Sequence, residues 1–166
     1  MEKQKFVIAV YVDNKAGVLT RVTAMFTRRG FNIDALTVGE TEHSQYSRIT
    51  IAMQGDKYVK AQLIDQLKKL LVVKKVEVLE EEPIKRELML IMVRNESTNR
   101  SDIMTAVDVF RASVIDYSSE GMCIEVTGSP SKIDAFVKLM QPFGILEMCR
   151  TGIVALDRGS KTLFTE

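Results

Sequence analysis

The stretch Asp13-Asn14-Lys15-Ala16-Gly17-Val18-Leu19-Thr20-Arg21-Val22-Thr23-Ala24-Met25-Phe26-Thr27-Arg28-Arg29-Gly30-Phe31-Asn32 decides how this chain folds. Before it runs Phe6-Val7-Ile8-Ala9-Val10-Tyr11-Val12, a nearly continuous apolar strand, and the next strand is expected over residues 31–38. Between them Val18, Leu19, Val22, Met25 and Phe26 recur at helical spacing, and Gly30 is placed to end the helix in a left-handed conformation. A helix start leaves backbone N–H groups without partners and carries a partial positive charge, which suits a carboxylate. Gly17 lets a ligand approach the backbone, while Asn14 and Asn32 each offer an amide donor and a carbonyl acceptor, as a zwitterion requires. These residues suggest an amino-acid effector site with no catalytic role. Taken alone, they equally suit a turn and a cap.

Outward from this stretch, residues 1–80 alternate as strand, helix, strand, strand, helix, strand. Ser47-Arg48-Ile49-Thr50-Ile51-Ala52-Met53 is a half-polar strand with Ile49, Ile51 and Met53 on one face. Asp56 is a candidate cap for a helix carrying Val59, Leu63, Ile64, Leu67, Leu70 and Leu71, and residues 72–79 close the unit. Glu80-Glu81-Glu82-Pro83 cannot continue a buried strand, so residues 81–85 are read as a linker. The order then repeats over 86–166: a strand at 88–93, a helix at 101–111, strands at 112–118 and 122–128, a helix opened by Ser129-Pro130, and a last strand over 145–156. The expected fold is α+β, two ferredoxin-like (βαββαβ) sandwiches in tandem. Residues 6–12 are apolar on both faces, so the face away from the helices needs a cover, which is expected to be a second copy in a homo-oligomer through the first domain.

Composition excludes several classes. The 166 residues carry 23 basic against 22 acidic side chains, a net charge of +1, so no field draws nucleic acid or an anionic membrane. No apolar run approaches the roughly 20 residues of a membrane span, and residues 1–5 lead straight into a strand, so a cytoplasmic protein is expected. Cys123 and Cys149 read as reduced, buried thiols. Met25, Met53, Met89, Met104 and Met140 sit at core-like spacings rather than as a soft metal site. The single histidine, His43, falls in a polar hairpin and reads as exposed. Common hydrolase, zinc and nucleotide motifs are lacking, and adjacent Glu80, Glu81 and Glu82 are no acid–base pair. A βαββαβ unit that binds RNA needs stacking aromatics on its central strands; the 47–53 strand has none and Tyr11 is taken as solitary.

Residues 12–21 followed by Arg29-Gly30-Phe31-Asn32-Ile33 resemble the ACT domain of the small regulatory subunits of acetolactate synthase. Leu36-Thr37-Val38-Gly39, Arg86-Glu87-Leu88-Met89-Leu90, Ile115-Asp116, Glu125-Val126-Thr127-Gly128, Lys132-Ile133-Asp134-Ala135-Phe136 and the run from Arg150 to Leu156 with Arg158-Gly159 extend the likeness over nearly the whole chain. The resemblance implies a noncatalytic subunit that activates a large thiamine-diphosphate-dependent catalytic subunit and confers feedback inhibition by valine. Thiamine diphosphate, Mg and FAD would belong to that large subunit, with no cofactor and no metal on this chain. It also implies a homodimer through the ACT domain with valine between the paired domains. The implied effector set is Asn14, Ala16, Gly17, Val18, Leu19, Asn32, Ile33 and Val38: Asn14 and Gly17 at the helix start, Asn32 from the neighbouring chain, and Leu19, Ile33 and Val38 as apolar wall. Asp13 stands where the family usually has glutamate, and His43-Ser44-Gln45 replaces a hairpin that often contains proline.

Overall fold

The computed structural model describes residues 4–79, 82–159 and 162. Glu80 and Glu81 of the expected linker lie outside the described residues, as do residues 1–3 and most of the polar tail. The chain divides into two units, one running to Ile84 and resuming at Ile153, the other spanning Lys85–Gly152.

In the first unit the order is β1 (Gln4–Asp13), α1 (Val18–Arg29), β2 (Ala35–Glu40), β3 (Tyr46–Gly55), α2 (Lys57–Lys68) and β4 (Val73–Val78). The sheet order is β2-β3-β1-β4 with every neighbour antiparallel, the arrangement of a ferredoxin-like sandwich. Alternation along β1 sends Ile8, Val10 and Val12 into a core with Val18, Val22, Met25 and Phe26 of α1 and Leu63 and Leu67 of α2. Gly30 takes φ 68, and the Phe31 N–H reaches the Phe26 carbonyl at 3.0 Å, closing α1 as its glycine foretells. Asp56 caps α2 by accepting from the Val59 N–H at 2.8 Å. Two expectations shift. Residues 31–34 are loop rather than strand, because Phe31 is committed to the helix stop. Leu71 lies past the end of α2 and is exposed despite its helical spacing.

The second unit repeats the plan with β5 (Ile84–Arg94), α3 (Arg100–Val109), β6 (Ser113–Tyr117), β7 (Gly121–Gly128), α4 (Pro130–Met140) and β8 (Ile145–Arg150). Its strands run β6-β7-β5-β8, and a further short strand at Val154–Leu156 pairs β5. Ser129 caps α4 through the Lys132 N–H, with Pro130 in the first helical position. Arg150 braces three elements: its Nε and Nη2 donate to buried Glu87 on β5 at 2.8 Å each, and its Nη1 donates to Asp134 on α4 at 2.9 Å. The Glu87 hydrogen bonds hold the guanidinium pKa above its ordinary value against the cost of burial, with Asp134 adding to the rise. Of the five methionines expected inside, four are buried, but Met104 is half-exposed on α3. Cys123 is only half-buried and Cys149 is exposed; both are free thiols, so their expected burial does not hold.

The last expected strand breaks in two. β8 stops at Arg150, Gly152 adopts φ 83, and β9 (Val154–Leu156) follows. From Ile153 onward the chain groups with the first unit, and β9 pairs β5. Ala155 and Ile153 pack with Val7, Ala9, Leu79 and Ala52 on the side of the first sheet that faces away from α1 and α2. The cover demanded by the two-faced β1 is therefore supplied by the same chain, and the apolar second face of β1 is no argument for a second copy.

Candidate effector site

Among the described residues four α-helices begin, and α1 begins unlike α2 and α4. Its N-cap is Gly17, which takes φ 81 and contributes no side-chain hydrogen bond. A side chain at this position would meet nothing within 4 Å. The Val18 N–H makes a long 3.3 Å contact with the Lys15 carbonyl and the Arg21 N–H returns to Gly17 at 3.1 Å, while the Leu19 and Thr20 amides find no acceptor among the described residues. No acidic side chain occupies the first turn. The result is a partially positive helix mouth that opens onto space, suited to a carboxylate.

Asn14 stands at this mouth and is tied to the β2–β3 hairpin. Its N–H donates to the Gln45 carbonyl at 2.8 Å, and its Nδ2 donates to the Ser44 carbonyl and to Glu40 Oε1, both at 2.9 Å. These contacts use both amide hydrogens inside the chain, so Asn14 offers a ligand its Oδ1, which accepts nothing among the described residues. The hairpin tether was not foreseen in the sequence, because its partners lie 26 and 30 residues away.

The remaining expected residues divide by position. Ala16 and Gly17 are exposed beside Asn14. Leu19, 42% exposed, and Val38, 41% exposed, are apolar groups left partly open. Val38 pairs with core residue Ile49, so it shares the helix-bearing face of the sheet. Val18 does not line an open surface: its side chain is in the core at 5% exposure, and only its backbone remains for a ligand. Asn32 is exposed and Ile33 half-buried, both just past Gly30 at the far end of α1. At 1.5 Å per residue the twelve residues of α1 hold the two ends about 18 Å apart. One chain therefore gathers Asn14, Ala16, Gly17, Leu19 and Val38, and does not bring Asn32 or Ile33 to them.

A second recess, of about 300 Å³, lies on the opposite face of the sheet and is lined by Tyr11, His43, Tyr46 and Lys74. Tyr11, expected to stand alone, stacks with Tyr46 at 4.9 Å between ring centroids, and Lys74 pairs with Asp13 at 3.1 Å.

Residues 8–75 match the family described as the AHAS small subunit-like ACT domain, and residues 86–159 match the one described as the small subunit of acetolactate synthase. Over 157 residues the chain is 48% identical to an Archaeoglobus fulgidus protein named "Probable acetolactate synthase small subunit", covering 95% of this chain and 99% of that one. The chain belongs to the acetolactate synthase small-subunit family. A Mycolicibacterium smegmatis acetolactate synthase small subunit is 44% identical over 93% of this chain and 91% of its own. The crystal structure of the small subunit from Thermotoga maritima superposes with a TM-score of 0.90 at 39% identity, covering 95% of this chain and 99% of that one. Small subunits of acetolactate synthase are a regulatory family, and the open helix mouth lies in the ACT part of this member.

Proposed function

We propose that the chain binds the thiamine-diphosphate-dependent catalytic subunit of acetolactate synthase, raises its activity and confers feedback inhibition by valine. Thiamine diphosphate, Mg and FAD sit on that catalytic subunit in this reading, and the complex is cytoplasmic. Among the described residues no helix is long and apolar enough to cross a membrane.

The observation that carries the effector role is the uncapped start of α1 beside an Asn14 whose Oδ1 has no donor among the described residues. The valine carboxylate lies against the free amides of the first turn, the Asn14 carbonyl accepts from its ammonium, and Leu19 and Val38 meet its isopropyl group. A second chain completes the site. β2 is an edge strand, and antiparallel pairing of two β2 strands lays the residue-35 end of one beside the residue-40 end of the other. Glu40 touches Asn14, so this pairing carries the partner's Asn32 and the partner's Ile33 to the open helix mouth. Control of catalysis is indirect: valine moves the complex only by the difference in its affinity for two arrangements of the pair.

Affinity capture of a thiamine-dependent enzyme by the full chain, followed by valine inhibition of the reconstituted complex, tests the assignment. Capture without any such enzyme would favour a free-standing amino-acid sensor. Asn32→Ala is expected to weaken valine binding by about 1–3 kcal/mol in calorimetry through loss of hydrogen bonds to a charged ligand; unchanged affinity would remove Asn32 from the site.

A further inference from the structure

Asp13, Glu40 and Glu42 all lie close to Asn14 and its hairpin, and two of the three have a cation of the chain beside them. Asp13 alternates with core residue Val12, so it points away from the helices, and it pairs there with Lys74 at 3.1 Å. Arg48, whose charge burial disfavours, has Glu42 near it along with Asp157 and Glu77. Glu40 differs. It lies two residues beyond Val38 on β2, so strand alternation sets it on the helix-bearing face, and it is exposed. Its carboxylate accepts a neutral donor, Asn14 Nδ2, at 2.9 Å. No cation among the described residues pairs with it.

The open mouth of α1 therefore has two poles. The free amides of the first turn are partially positive, with no acidic side chain among them. At the other pole Asn14 Oδ1 lies beside the full negative charge of Glu40. An ammonium that donates to Oδ1 comes within roughly 6 Å of that carboxylate, close enough for opposite charges to attract. Oδ1 alone would accept from any donor, so it cannot by itself demand a charged one. We propose that Glu40 makes the site specific for amino acids. It holds the ligand's ammonium together with Asn14, and it leaves an unmatched charge beside any 2-oxo or 2-hydroxy acid that lacks one. This assignment rests on the effector reading above and adds to it the residue that reads the amine.

Calorimetry on the full chain tests it with two probes, valine and α-ketoisovalerate, which has the same carbon skeleton with a carbonyl in place of the amine. The unsubstituted chain is expected to bind valine at least about a hundredfold more tightly than the keto acid. Glu40→Gln keeps an oxygen for Asn14 Nδ2 and removes the charge. In E40Q valine should weaken about tenfold, while the keto acid, read by its displacement of valine, should bind no more weakly than before. Glu40→Ala removes the acceptor as well, which frees Asn14 and should weaken valine further. Valine affinity within about twofold of normal in E40Q, or equal losses for the two probes, would reduce Glu40 to a strut for Asn14 and leave the effector reading standing. An unsubstituted chain that takes both probes alike would also overturn the selection. No heat with valine on the unsubstituted chain would sink the effector reading, and the role of Glu40 with it.

Discussion

The β1–α1 and β5–α3 junctions are the same construction made twice, once left open and once closed. In each, an asparagine after the first strand ties the loop to the next hairpin: Asn14 to the Gln45 and Ser44 carbonyls, Asn95 to the Glu120 and Ser118 carbonyls through its N–H (3.2 Å) and Nδ2 (2.5 Å). The difference lies in the remaining oxygen. Asn95 is buried and its Oδ1 accepts from Arg100 Nε at 2.9 Å, with the Arg100 guanidinium over the Tyr117 ring. At Asn14 no cation among the described residues takes that place, and Gly17, with open space around it, leaves the helix mouth clear. The closed copy shows what the open copy lacks, a cationic donor to the asparagine oxygen, a place that the ammonium of an amino acid takes in the proposed reading.

The contrast is broken most severely at Gly17. Aspartate there must hold a left-handed backbone, at about 1–2 kcal/mol, and sets a negative charge in the space meant for a carboxylate. Valine potency on the reconstituted enzyme is expected to fall on the order of a hundredfold or more, near 2.7 kcal/mol, and an unshifted inhibition curve would refute the site. Asn95→Ala strips the closed junction of its acceptor for Arg100. It should lower unfolding stability by about 2 kcal/mol in urea titration while valine potency stays as before. Asn14→Ala should do the reverse, weakening valine roughly tenfold by calorimetry and changing the unfolding free energy in urea by about 0.5 kcal/mol or less, because the residue is exposed. The smallest effect belongs to Asp56→Ala, where a helix start already satisfied by its own side chain loses about 1 kcal/mol in thermal unfolding and the valine response is untouched.

Local chemistry was readable from the sequence and distant partnership was not. Gly30, Asp56 and Ser129-Pro130 each mark a helix end through bonds made within a few residues, and each does so in the structure. Both βαββαβ units follow from period and order alone. Within the site, Gly17 and Asn14 stand out as residues at a helix mouth, but that Asn14 spends its donors on Ser44 and Glu40 depends on a hairpin whose return no local pattern fixes. Val18 shows the limit of a motif: it sits beside Gly17 in sequence, and the helical stripe turns it inward. The chain's return to the first sheet was hidden because residues 145–156 keep an extended, apolar pattern through Gly152, and only tertiary contact distinguishes a strand that ends there from one that continues. The apolar second face of β1 calls for a cover, and that residues 153–155 pack there is likewise fixed only by tertiary contact.

The edge position of β2, with Asn32 stranded at the far end of α1, has a quantitative outcome. If, as proposed, the site is finished only by a second molecule, it obeys mass action in its own abundance: valine would tighten self-association by the same factor that self-association tightens valine. Diluted below its pairing constant, the subunit of the proposed dimer is expected to lose sensitivity to valine with every residue of the crevice intact, so the proposed feedback set-point would follow how much of the subunit is made.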